Sequence, residues 1–127
     1  MPTLQGSMTD GVPIIGIRMR QRQDESYVET SDLIASVENG ADEIFLSPRA
    51  LSSNGFRSSP QGTDYLEGFD VEIAFLRTGE ELSWIAMRAE EVQQIPFPGC
   101  DATLGWPFLQ KCVLVLDGPN QKYSLTW

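Results

Sequence analysis

The sequence predicts an all-β domain with one or two short helices. Three observations support this. Short runs of Val, Ile, Leu and Phe recur along the chain, bounded by Gly, Pro, Asn and Asp. Helix start signals with proline at the first turn mark only short segments, around Ser47-Pro48 and Trp106-Pro107. With 127 residues and a hydrophobic content of 41%, the chain is one domain whose core needs neither disulfides nor metal.

Taken in order, residues 1–11 are small and polar and are expected to form a flexible N-terminal tail, leaving the domain proper at 12–127. Pro13 to Arg20 reads as a first strand, and Gln21 to Ser26 as a charged turn. A second strand then leads into Leu33-Ile34-Ala35-Ser36-Val37-Glu38-Asn39-Gly40-Ala41. Here an apolar strand runs into a turn that presents the Glu38 carboxylate, and Asn39-Gly40 is the pair most able to take positive φ.

Asp42 to Leu46 reads as another short strand. Ser47-Pro48 supplies an N-cap with proline at the first helical position, and Asn54-Gly55 supplies the stop. Gly55 to Gly68 suits a hairpin or surface loop whose glycines at 55, 62 and 68 read equally as hinges and as ordinary loop residues, and Phe69 to Leu76 is a strand. Glu81 to Gln94 carries helical spacing (Leu82, Ile85, Ala86, Ala89, Val92), yet the turn before it asks for a hairpin with Leu82, Trp84 and Ala86 on one face, and both readings stand. At the C-terminal end a short apolar strand stops at Gly105, a one-turn helix follows, and a hairpin closes through Asp117-Gly118-Pro119.

Composition removes several functions. A net charge of −9 argues against nucleic acid and anionic membrane, and fits a basic partner or peptide as well as it fits plain solubility. No apolar run reaches membrane-spanning length and no basic-then-apolar leader opens the chain, so a cytoplasmic location is expected. Without histidine, Ser-His and Cys-His nucleophile pairs and His-based metal sites are excluded. Cys100 and Cys112 make neither a zinc site nor a disulfide framework and read as buried free thiols. No metal or cofactor is expected.

Cys100-Asp101-Ala102-Thr103-Leu104-Gly105-Trp106-Pro107-Phe108-Leu109, followed by Val113-Leu114-Val115-Leu116-Asp117-Gly118-Pro119 and Tyr123-Ser124-Leu125, resembles the C-terminal half of the retropepsin-like aspartic peptidases, the retroviral-type single-domain family. Val37-Glu38-Asn39-Gly40-Ala41-Asp42 is similar to that family's catalytic loop, an apolar residue followed by Asp-Thr-Gly-Ala or Asp-Ser-Gly-Ala. The resemblance covers about residues 12 to 127, and the interval from Glu38 to Gly105 has room for the family's flap hairpin. It implies a closed, barrel-like single lobe working as a homodimer, and it favours strand over helix from Glu81 to about Met87.

It also implies a chemistry. Two carboxylates, one per subunit, come within about 3 Å, share one proton and hold a water between them. One takes a proton from the water while the other polarises the scissile carbonyl. Three matched positions depart from that pattern. Glu38 replaces Asp with an arm one methylene longer, Asn39 replaces the bracing hydroxyl, and Trp106 replaces an arginine that in relatives pairs with the acidic residue matched here by Asp42. A misplacement of about 1 Å can cost about a hundredfold in rate.

The expected function is therefore a retropepsin-like domain that binds a peptide or protein with little or no peptidase activity. Glu38, Asn39 and Gly40 are its matched catalytic positions; Ala41, Asp42, Gly62, Gly68 and Trp106 are its candidate contacts. Two rivals stand beside it: a homodimeric endopeptidase using a Glu38 pair, and an acidic inhibitor or immunity-type protein for a basic partner. Trp84 and Trp127 read as packing residues, Trp106 as core packing or an interface anchor, and Glu80-Glu81 and Glu90-Glu91 as solvated turns.

Overall fold

A computed structural model describes residues 2–59, 68–77 and 82–127. Its strands are β1 (Thr3–Thr9), β2 (Val12–Gln23), β3 (Ser26–Glu29), β4 (Leu33–Val37), β5 (Ile44–Leu46), β6 (Gly68–Phe75), β7 (Trp84–Glu91), β8 (Ala102–Leu104), β9 (Val113–Asp117) and β10 (Lys122–Thr126). One short helix, α1 (Trp106–Leu109), and a 3-10 turn at Ser52–Asn54 complete the described chain.

The strands run in the order β4-β8-β5-β7-β6-β2, and β2 also pairs with β4, so these six close into a barrel. This is the single-lobe fold expected from the sequence. β2 supplies the longest wall, with Pro13, Ile15, Ile17, Met19 and Gln21 alternating inward at the two-residue period of a half-buried strand. Phe69, Val71, Ile73 and Phe75 do the same on β6. Phe75 meets Phe108 of α1 edge-on at 5.3 Å and Trp127 at 4.7 Å, which seals one end of the core. Trp127 is thus a packing residue, as expected.

Several expectations change. Residues 3–9 form a strand where a loose tail was expected: β1 pairs with β10 from Thr3 to Ser7 and with β2 at Met8 and Thr9. Gly6 makes this possible, because a side chain there would collide with the Tyr123 ring. The Asp10-Gly11 turn between β1 and β2 holds both residues at positive φ, 51° and 78°, the signature of a two-residue hairpin. The charged segment from Gln21 is strand as far as Gln23, and the turn falls at Asp24, whose φ is 57°.

β7 settles the helix-or-strand ambiguity as strand and extends beyond Met87 to Glu91, because β6 offers it seven antiparallel partners from Gly68 to Ala74. Trp84 lies half-buried on the outside of the sheet. The Arg20 guanidinium sits 4.3 Å from its ring and 4.2 Å from that of Tyr27.

The Ser47-Pro48 segment makes a helical turn through Ser47 O, which accepts from Ala50 and Leu51 N–H, but the Ser47 hydroxyl does not cap it and has no partner among the described residues. Gly55 ends the segment at φ 89°, as expected. Glu91, expected to be a solvated turn residue, caps the 3-10 turn by accepting from the Ser52 N–H and hydroxyl. Glu80 and Glu81 lie outside the described residues.

Candidate functional site

The site is built where β4 and β5 flank β8. β4 runs parallel to β8, with Val37 opposite Leu104; β5 runs antiparallel to it, with Ile44 opposite the same Leu104. The chain from Glu38 to Glu43 must therefore arch over the end of β8. Glu38 N–H donates to Leu104 O at 3.1 Å, and Trp106 N–H donates to Ala41 O at 2.8 Å, so β8 and α1 clamp both ends of the arch.

Within it, Ala41 N–H reaches Glu38 O at 3.4 Å. Neither Asn39 nor Gly40 takes positive φ, contrary to expectation. An ordinary turn at negative φ suffices, because the clamps rather than glycine's freedom set the path.

Behind the loop the β4–β8 seam is polar and closed. Ser36 and Thr103 are fully buried, with hydroxyls 3.5 Å apart. Cys100 lies beside them, half-buried. Burial pushes its thiol pKa up, the neighbouring Asp101 and Glu38 carboxylates push it further, and a hydrogen bond with Ser36 opposes them. Both cysteines are free thiols and neither is fully buried.

Asp101 ties the seam together. Its N–H donates to Ile34 O at 2.7 Å, its carbonyl accepts from Ser47, and its carboxylate accepts from Ile34 N–H at 3.2 Å and pairs with Arg49. One residue thus holds the start of β4, the end of β5 and the start of β8 in register.

Glu38, half-buried, opens onto a groove of about 690 Å³ lined also by Asn39, Gly40 and Ala41. The opposite wall is Gly11, Val12 and Pro13 from the β1–β2 turn, Pro96, and the apolar set Leu109, Leu114 and Leu116. Among the described residues Glu38 is the only ionisable side chain in this lining, which is largely apolar. Among the described residues no group of three His, Cys, Asp or Glu side chains could hold a metal ion, and no helix is long and apolar enough to cross a membrane.

The structure thus gathers Glu38, Asn39, Gly40 and Ala41. Asp42 is exposed and is not among the residues lining the groove. Trp106 is 53% exposed, so the core-packing reading is replaced by an exposed aromatic beside the arch; its neighbours Phe108 and Gly105 take the buried positions instead. Gly68 is no loop hinge. It is a buried residue of β6, and a side chain there would run into the Arg88 guanidinium. Gly62 lies outside the described residues.

The far wall of the groove escaped the sequence reading. Its signals were present in Asp10-Gly11, a two-residue hairpin pair, and in Val113 to Leu116, apolar on both strand faces.

No family model matches the chain, and no curated protein matches its sequence. Among solved structures the chain is similar to a retropepsin-like aspartic protease from Rickettsia conorii, with a TM-score of 0.60 and 12% identity over 99% of this chain and 90% of that one. At that identity the likeness is one of fold, and it agrees with the closed barrel and single short helix described above.

Proposed function

We propose that this chain is an aspartic-protease homologue that uses the retropepsin-like lobe to bind a peptide or protein segment and has little or no peptidase activity. The observation that carries the reading is the groove itself: a largely apolar trough with one carboxylate, Glu38, held on a clamped arch. Apolar lining with a few placed polar groups is what ligand recognition uses. Hydrolysis by the aspartic-peptidase mechanism needs a second acid sharing a proton with the first.

Any catalytic pair would have to join Glu38 to its equivalent on a second copy, each one methylene longer than aspartate. The Asn39 amide stands where relatives brace the loop with a hydroxyl, and Trp106 cannot form the charged pair with Asp42 that an arginine would.

The test is a pair of measurements on the native chain. An immobilised peptide library should yield binders that are lost on Leu114→Asp and Leu109→Asp. The same library should show no pepstatin-sensitive cleavage between about pH 3 and 7. Cleavage abolished by Glu38→Ala would overturn the reading in favour of a homodimeric endopeptidase. Glu38→Asp with Asn39→Thr is expected to raise cleavage above the native level.

A further inference from the structure

Asn39-Gly40 forms the tip of the arch, and the pair has a reactivity of its own. An asparagine amide can be attacked by the backbone nitrogen of the next residue, and glycine adds no side chain to shield that nitrogen. Asparagine counts among the thermolabile residues. Two such pairs occur in the chain, Asn39-Gly40 and Asn54-Gly55, and all four residues are exposed. The fold treats them differently.

In the arch, the turn bond runs from Ala41 N–H to Glu38 O, so Asn39 and Gly40 are the central residues of that turn. Among the described residues neither the Gly40 N–H nor the Asn39 side-chain amide has a hydrogen-bond partner. A Cβ built on Gly40 would meet nothing within 4 Å, so its surroundings are open. At the second pair, Asn54 closes the 3-10 turn with its N–H on Leu51 O, and Gly55 N–H donates to Ser52 O at 3.2 Å. The Gly55 nitrogen is thus held by a bond that a local opening must break before it can attack.

We propose that Asn39 is a site of spontaneous modification, at which the folded chain converts its own amide to an acid beside Glu38. The Gly40 nitrogen forms a bond to Asn39 Cγ, the Cγ–Nδ2 bond breaks, and the proton from Gly40 N–H leaves with the amine as ammonia. Water, the only co-reactant, then opens the cyclic imide. Breaking the new Cγ–N bond leaves aspartate. Breaking the original peptide C–N bond leaves isoaspartate, which adds a methylene to the main chain between the clamps at Glu38 and Ala41.

Either product puts a second carboxylate in the groove that Glu38 and Asn39 line. Covering an added charge with an apolar ligand is costly, so conversion should weaken capture of a peptide segment. That consequence rests on the peptide-binding reading; the conversion itself does not.

The experiment follows the full native chain in neutral buffer by anion exchange. Peptide mapping places the amide-to-acid mass shift, and enzymatic methylation of isoaspartate measures the isomer. In the folded chain Asn39 should convert about tenfold or more faster than Asn54. In urea the two rates should converge, because both nitrogens are then equally free. Gly40→Ala fits the open space without a positive φ, so it should leave the urea midpoint in place and slow conversion about tenfold or more. The amide and acid fractions of one native preparation are then compared, and the acid fraction should capture library peptides about tenfold more weakly.

Equal rates at Asn39 and Asn54 in the folded chain overturn the site, and so does an Asn39 that converts only in urea. A conversion indifferent to Gly40→Ala overturns the attack by the Gly40 nitrogen. Equal capture by the two fractions overturns the consequence for binding. If the amide fraction captures nothing, the peptide-binding reading falls with that consequence, and a measured conversion at Asn39 still stands.

Discussion

Gly105 lies directly beneath Ala41: a Cβ built on Gly105 would stand 2.5 Å from the Ala41 carbonyl oxygen and 2.8 Å from the Ala41 Cβ, and it would also collide with the carbonyl of Glu43. The arch carrying Glu38 therefore packs on the end of β8 as backbone against backbone. The backbone at Gly105 is extended, so glycine is required by space and not by φ. Gly105→Ala should force the arch outward, break the Trp106 N–H to Ala41 O bond, and cost about 1–3 kcal/mol or more. Urea denaturation measures the loss. An effect below about 0.5 kcal/mol, the usual size for a neutral surface change, would mean that the arch is loose.

Gln21 stitches the chain segments on either side of residues 60–67. Its amide N–H donates to Arg57 O at 2.8 Å and Asp70 O at 3.1 Å, while its carbonyl accepts from Arg57 N–H at 2.8 Å, all at an almost buried position. Gln21→Leu keeps the volume and strands those backbone groups, which costs about 1–3 kcal/mol. Amide exchange at Arg57 should accelerate more than at Ile15 on the same strand. Equal acceleration at both sites would show that the effect is global and not a loosening of this junction.

The residues near the site were more legible in the sequence than the surface around it. Val37 to Ala41 and Ala102 to Gly105 were readable because an apolar strand ending in glycine is a strong local signal, and the resemblance placed one against the other. β1 was not readable: Thr3-Leu4-Gln5-Gly6-Ser7 has weak strand propensity, and what makes it strand is its partner β10 more than a hundred residues away. Trp106 misled for a related reason. Its type suggests burial, but Gly105 needs the space under the arch and Phe108 fills the core, so the indole is left outside. The groove's far wall is tertiary, assembled from the β1–β2 turn, Pro96 and β9, and no local pattern announces it.

Alkaline pH should weaken the fold. Burial raises the pKa of the Cys100 and Cys112 thiols and the Tyr123 phenol above their ordinary values, with the Asp101 and Glu38 charges adding to the rise at Cys100. All three groups are neutral when protonated. A folded-state pKa above the unfolded one gives stability that is complete below the unfolded value and is lost as pH rises through the folded one. The midpoint of urea unfolding should therefore be flat to about pH 8 and fall above it, and Cys100→Ser with Cys112→Ala should reduce the slope. At pH 8 the native thiols should alkylate with iodoacetamide more slowly than the same thiols in urea. Equal rates would contradict the burial assigned to them.

Asp101 gives the sharpest test of how the site is held. Its carboxylate is 14% exposed, while its Arg49 partner is 75% exposed, so the two interactions of that carboxylate differ in kind. The ion pair with Arg49 reaches into solvent, where such pairs contribute about 0–1 kcal/mol. The hydrogen bond from Ile34 N–H also lies at the surface, but it ties the start of β4 to a charged acceptor, and such bonds contribute about 1.5–3 kcal/mol. Arg49→Ala should therefore cost well under about 1 kcal/mol, and Asp101→Ala about 1–3 kcal/mol. Asp101→Asn keeps an acceptor oxygen for Ile34 and removes the charge, so it should lie near Arg49→Ala and not near Asp101→Ala. If Asn is as damaging as Ala, the charge pair carries the junction after all, and stability should then fall with added salt, which the backbone hydrogen bond alone would not produce.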